Sequence, residues 1–126
     1  MIVADSSYIV ELLLKRNELL SEDSIIAPDF MVYEVANALW RHEHLLKDLA
    51  DGKPHISALW GLIDSGKIAL ISPNERLTLM AYSMARRNGI TIYDAIFICL
   101  AIDMGITLKT FDKIQVRAIE TEREKK

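Results

Sequence analysis

Apolar residues along this chain alternate between two rhythms. Residues 2–5 form a short run without polar alternation, which predicts a strand buried on both faces. Residues 24–27, 68–72 and 106–110 predict three further short strands. Between them the apolar positions recur at helical spacing. Ile9, Leu12, Leu13 and Leu20 make a stripe over residues 7 to about 20. Ser21-Glu22-Asp23 then reads as a loop. Pro28-Asp29 offers a break and an N-cap for a helix running through Trp40 toward Leu49. Asp51-Gly52-Lys53-Pro54 reads as a stop and turn, and residues 56–64 as a helix closed by Ser65-Gly66. Pro73-Asn74 leads into a helix ending at Asn88-Gly89, and Thr91 opens another that Gly105 ends. Residues 114–119 have the look of a short edge strand, and residues from 120 onward that of a solvated or frayed charged tail.

Strand–helix alternation of this kind predicts a parallel sheet covered by helices on both faces. The expected class is α/β. Its expected architecture is three-layer α/β/α, with a central, mostly parallel sheet of four to five strands. No internal repeat or linker interrupts the pattern, so residues 1–119 are read as one domain and 120–126 as its tail.

Composition alters this picture little. At 126 residues the chain is long enough to bury a core without disulfides or a structural metal. Its longest apolar run, residues 95–102, is far short of a membrane span. The N-terminus has no basic region and reaches Asp5 almost at once, unlike a signal peptide, so a cytoplasmic protein without membrane attachment is expected. Cys99 lies alone inside that apolar run and reads as a small buried hydrophobe rather than a reactive thiol. A formal net charge of −3 gives no global attraction to nucleic acid. It does not exclude a local one, since acids gathered around a cation would account for the sign.

Four acids change the picture more. Asp5 closes the first strand, Glu34 interrupts an apolar helical stretch, Asp94 opens a very apolar helix, and Asp112 follows the fourth strand. In an open parallel sheet, functional groups collect beyond the carboxyl ends of the strands, where all four belong. At helical spacing Glu34 shares a face with Phe30, Met31 and Ala38, and a buried carboxylate is rarely left without a partner. Each acid has a plain alternative. Asp5 fits an N-cap for the first helix, Thr91-x-x-Asp94 fits a capping box, Asp112 fits a turn cap, and Glu34 fits a partner for Arg41. Singly those alternatives are the better readings. None explains why all four acids share one end of the sheet, where a pocket of carboxylates suits a hard divalent cation.

Val3-Ala4-Asp5-Ser6-Ser7 is followed by Ala27-Pro28 and by Glu34-Val35-Ala36-Asn37-Ala38-Leu39. Then come Thr91-Ile92-Tyr93-Asp94-Ala95 with Leu100-Ala101, and Leu108-Lys109-Thr110-Phe111-Asp112. In this order and at these separations the chain resembles the PIN domains, and among them the VapC-type toxin ribonucleases, over residues 2–113. The resemblance implies a metal-dependent endoribonuclease that hydrolyses RNA phosphodiester bonds. Asp5, Glu34, Asp94 and Asp112 match the family's catalytic, metal-binding acidic quartet, with Asp5 and Asp94 foremost among its metal ligands. Ser7 and Thr110 match the small hydroxyl residues that support it. The partners implied are an RNA substrate, a cognate antitoxin whose C-terminal segment occupies the groove, and a second copy in a homodimer. Phe111 departs from the family in being bulkier than is common beside the last acid.

An all-oxygen site suits Mg²⁺ or Mn²⁺. Zinc fits poorly, because His42 and His44 are two apart on a helix and face different ways, and His55 stands apart from both. No glycine-rich phosphate loop is present. Arg41, Lys109 and Lys113 are candidate RNA contacts, weighed against their plainer reading as solvated surface charge. Arg86-Arg87 fits a favourable helix C-terminus. Tyr33, Trp40 and Trp60 fit either an interface or the core. Two other functions compete with a nuclease. One is a non-catalytic PIN module that binds RNA or a protein partner. The other is a phosphotransfer receiver domain, which the lone Asp after the first strand and the absence of an Asp after the third argue against.

Overall fold

Ile2–Ala4 forms the central strand, β1, and all three of its residues are buried, as an unalternating apolar run requires. The computed structural model describes residues 1–15 and 23–124. Leu20 of the first predicted stripe, Ser21 and Glu22 of the predicted loop, and the last two residues of the predicted tail lie outside them. After β1 come α1 (Ser6–Lys15), β2 (Ile25–Pro28), α2 (Met31–Arg41) and α3 (Lys53–Asp64). These are followed by β3 (Ile68–Ile71), α4 (Glu75–Asn88), α5 (Ile92–Met104), β4 (Thr107–Lys109) and α6 (Lys113–Glu124). No described helix is long and apolar enough to cross a membrane.

The four described strands lie in the order β3-β2-β1-β4 and every pair is parallel. The chain winds outward from β1 to β2 and β3, then returns to place β4 on the other side of β1. Ile2, Val3 and Ala4 pair with Thr107, Leu108 and Lys109. That reversal makes a crevice beyond the carboxyl ends of β1 and β4, the usual place for a site in such a sheet. Ala95 and Phe97 through Ala101 are all buried, so α5 is apolar on every side and sits at the centre of the helical layer. Burial of Phe97 or Ile98 contributes roughly 1.5–3 kcal/mol each. Because α5 returns to β4, it runs against the sheet, and its N-terminus stands at the sheet's carboxyl edge.

Several ends fall where the local chemistry predicted. Asn74 caps α4 by accepting from Leu77 N at 2.8 Å, and Gly89 and Gly105 close α4 and α5 with φ of 64° and 66°. Others differ. Asp29 does not cap α2, whose helical conformation already begins at Phe30. The same helix passes into one π-helical turn, His42–Leu46, and stops at Lys47 (φ 55°) instead of Leu49. There His42 Nδ1 lies 2.9 Å from Asp48 Oδ1, and the Asp48 amide donates to the His42 carbonyl. The turn at Asp51–Pro54 is itself the start of α3. Lys53-Pro54 supplies its first turn, where proline loses no hydrogen bond, so the helix starts three residues early.

The largest correction is at the C-terminal end. Residues 114–119 are not an edge strand, and 120–124 are not a tail; both belong to α6. Ile114 and Val116, whose alternation imitated a strand, are exposed. The buried stripe is Gln115, Ala118, Ile119 and Glu122, at helical spacing but half polar and so invisible to an apolar search. The boundary drawn after residue 119 therefore falls inside a helix. Glu122 fastens α6 to the end of α4, accepting from Arg87 Nη2 at 2.6 Å and Asn88 Nδ2 at 2.9 Å. Glu122→Ala is expected to lower stability by about 1–3 kcal/mol, read from the urea unfolding midpoint. Arg87, about half exposed, can rehydrate, which keeps the loss below that of a fully buried pair.

Candidate active site

Asp5 follows β1 directly and is only 3% exposed. Its Oδ1 accepts from Tyr8 N at 3.0 Å and from Ser7 Oγ at 2.7 Å. Its Oδ2 accepts from Thr110 Oγ1 at 2.7 Å, across the seam between β1 and β4. Thus Asp5 does cap α1, as its plain reading held, and it does more than that. The two hydroxyls that hold it are held in turn. Ser7 Oγ accepts from Phe111 N at 3.0 Å, and Thr110 Oγ1 accepts from Asp112 N at 2.9 Å. Phe111 stacks on Tyr8, ring centroids 5.8 Å apart, pinning the loop after β4 against α1. Ser7 and Thr110 therefore hold Asp5 and tie it to the backbone of the last acid.

Asp112 caps α6. Its Oδ1 accepts from Ile114 N at 2.8 Å and, more weakly, from Gln115 N at 3.4 Å. Glu34, half-buried on α2, takes a hydrogen bond of 2.6 Å from Ser6 Oγ and none from Arg41. Phe30 meets Tyr93 and Phe97 edge-on, at centroid distances of 5.2 and 5.5 Å, which sets the first turn of α2 beside that of α5. Asp94 lies in that turn of α5. Its amide donates to Thr91 Oγ1 at 3.2 Å, the cap its sequence predicted, while its Oδ1 accepts from Gln115 Nε2 at 2.9 Å.

The electrostatics join the four acids. Burial pushes the Asp5 carboxyl above its ordinary value of 3.8, outweighing its hydrogen bonds, and the nearby Asp112 charge adds to the rise. Burial also raises Glu34 above 4.5 against the Ser6 hydrogen bond, with further upward pushes from Asp94 and Asp5. Repulsion thus runs from Asp112 to Asp5, to Glu34, and on to Asp94. No lysine, arginine or histidine forms an ion pair with any of the four among the described residues. Nor, among those residues, is any set of three His, Cys, Asp or Glu side chains gathered to hold a metal ion as it stands. The donors are nevertheless all oxygen. Glu34 Oε2, Asp94 Oδ2 and Asp112 Oδ2 accept no hydrogen bond from the described residues. In charge and in donor type the set fits a hard divalent cation.

A cleft runs from Glu34 along α1 and α2, lined by Ser6, Ser7, Glu34, Asn37, Arg41 and His42. Arg41 borders it and forms no ion pair among the described residues, while Lys109 and Lys113 are exposed beside the last acid. Tyr33, Trp40 and Trp60 are surface residues, not core. Cys99 is fully buried and its thiol is pushed up to about 11, which leaves it inert, as its apolar setting predicted. Two participants escaped the sequence reading: Ser6, which binds Glu34, and Gln115, which binds Asp94. Gln115 had a usable signal. Asp112-x-x-Gln115 has the spacing of a helix-opening cap, and would have placed a helix where a strand was expected.

A family model described as the PIN domain matches residues 2–120 of this chain. Ribonuclease VapC3 of Pyrobaculum aerophilum is 31% identical to it over 87 residues, covering 68% of this chain and 63% of that relative. The chain thus spans under two thirds of that relative's length. The crystal structure of PAE2754 from the same organism superposes with a TM-score of 0.73 at 20% identity, covering 98% of this chain and 93% of the other. That of Mycobacterium tuberculosis VapC20, a sarcin-ricin-loop-cleaving toxin, gives 0.71 at 14% identity, covering 94% and 95%. At such identities these two structures establish likeness of fold.

Proposed function

The chain belongs to the PIN domain family, and on that footing we propose that it is a metal-dependent endoribonuclease, the toxin of a toxin–antitoxin pair. The observation that carries this reading is like-charge repulsion running through Asp112, Asp5, Glu34 and Asp94, with no protein cation ion-paired to any of them among the described residues. Carboxylates that repel one another serve best where a cation from solution offsets them. The likeness to Ribonuclease VapC3 supports RNA as the substrate.

Asp5 and Asp94 would hold Mg²⁺ or Mn²⁺ directly, and Asp112 would ligate it, act through a water, or hold a second ion. When bound, such a cation neutralises charge on the scissile phosphate and makes bound water more acidic. The remaining work belongs to the chain. Ser7 and Thr110 lock Asp5 in place, so that no reorganisation is needed at the moment of reaction. Ser6 occupies Glu34 Oε1 and leaves Oε2 to orient the attacking water or complete the cage. Arg41, which lines the cleft, would bind an RNA phosphate, with Lys109 and Lys113 as further contacts. An antitoxin segment would fill the same cleft. The exposed Tyr33, Trp40 and Trp60 offer surface for it or for a second copy in a homodimer. The proposed setting is the cytoplasm, where such a toxin meets its RNA.

Purified protein incubated with total RNA is expected to cut it in Mg²⁺ or Mn²⁺ and to stop when EDTA is added. Absence of cutting, with cation binding seen by calorimetry, would instead favour a non-catalytic PIN module that binds RNA or a protein partner.

A further inference from the structure

Gln115 occupies a position that chemistry alone would give to leucine or methionine. It is 2% exposed, on the stripe of α6 that also buries Ala118, Ile119 and Glu122. Its Nε2 donates to Asp94 Oδ1 at 2.9 Å, and its Oε1, equally buried, has no hydrogen-bond partner among the described residues. Rotating the amide would not satisfy it, because two acceptors would then face each other at Asp94. A buried amide held by only one end is disfavoured against an apolar side chain of the same volume. Such local conflicts with packing concentrate where function requires them. The same residue touches a second acid, since its backbone N–H points at Asp112 Oδ1, 3.4 Å away.

We propose that Gln115 is a positioning residue of the acidic site, orienting the Asp94 carboxylate so that Oδ2 faces the cation. This inference rests on the reading of the four acids as a cation site. The bond from Gln115 takes up Oδ1 and leaves Oδ2 as the atom free to ligate. It also couples α6, whose first turn carries the Asp112 cap, to the first turn of α5. Any shift of one helix therefore moves both acids. Partners that orient a metal ligand in this way typically change affinity by about 10–100-fold when removed.

The test is calorimetric titration of Mn²⁺ into metal-free wild type, Gln115→Leu, Asp94→Asn and the double variant, with thermal unfolding of each in EDTA. Gln115→Leu is expected to keep or raise the metal-free unfolding temperature, because it fills the core and removes an unpaired amide. Its Mn²⁺ affinity is expected to fall about 10-fold or more. With Asp94→Asn already in place, Gln115→Leu should change affinity by less than about twofold, because the two act through one carboxylate. Wild-type affinity in Gln115→Leu, or independent losses in the double variant, would overturn the role of Gln115 alone. If wild type binds no Mn²⁺, the cation site falls and this role with it.

Discussion

Asp94→Asn and Asp5→Asn are each expected to reduce cation-dependent RNA cleavage by about three orders of magnitude or more, equivalent to some 4 kcal/mol of transition-state stabilisation. The two losses have different origins. Asp94 is half-buried in the first turn of α5, and its Oδ2 accepts no hydrogen bond from the described residues. The substitution removes a charge while retaining an oxygen for the Gln115 amide. Asp5 lies deeper, with both oxygens engaged by Ser7, Tyr8 N and Thr110. Its amide variant can keep the two bonds to Oδ1, but it places an N–H₂ against Thr110 Oγ1. Single-turnover cleavage, alongside circular dichroism and unfolding temperature, separates lost chemistry from lost fold. A folded Asp94→Asn protein that cuts at the wild-type rate would remove that acid from the mechanism.

The second large effect is on stability and runs opposite to ordinary acid denaturation. Asp5 and Glu34 hold their protons to higher pH in the folded chain than at the ordinary 3.8 and 4.5. Over the window from those values up to the raised ones, the folded state binds more protons than the unfolded state. Their contribution to stability is therefore fully present below that window, and is lost as pH rises through it. In EDTA, Asp5→Asn/Glu34→Gln should flatten this part of the profile relative to wild type. Mg²⁺ should act in the other direction, since it needs the ionised acids. At neutral pH and about 100 times its dissociation constant it should add roughly 2.7 kcal/mol, with less effect as the acids protonate. Unfolding temperatures measured across pH, with EDTA and with Mg²⁺, report both trends. A wild-type profile that the double variant leaves unaltered would contradict the shifts.

Much of this arrangement could be read from residues alone, because its causes are local. The unalternating run ending at Asp5 specifies a buried central strand. Asn74, Thr91, Gly89 and Gly105 mark the ends of α4 and α5 through caps and left-handed backbone that few other residues supply. The four acids were legible because each stands next to an apolar run where a charge is costly. What escaped depends on contacts distant in sequence. Nothing near Gln115 states that its amide reaches a carboxylate 21 residues earlier. Nothing near Glu34 states that Ser6 will be its donor instead of Arg41. The register of α6 was hidden because two of its four buried residues are Gln115 and Glu122, which satisfy polar partners instead of contributing to an apolar stripe. The extension of α2 into a π turn likewise depends on Lys47 adopting positive φ and on the pairing of His42 with Asp48, neither of which periodicity encodes. Plain readings of single residues also proved partly right. Asp5 and Asp112 are helix caps through Oδ1; Thr110 takes the other oxygen of Asp5, while Oδ2 of Asp112 accepts no hydrogen bond among the described residues.

The central claim is that Asp5, Glu34, Asp94 and Asp112 form one cation site. Crystals of the protein soaked in Mn²⁺ and measured for anomalous scattering test it most directly. The account predicts a peak at coordination distance from Asp5 and Asp94, with Glu34 and Asp112 around it, that disappears in Asp94→Asn. No peak among these acids at saturating Mn²⁺, or one unchanged in Asp94→Asn, would contradict it.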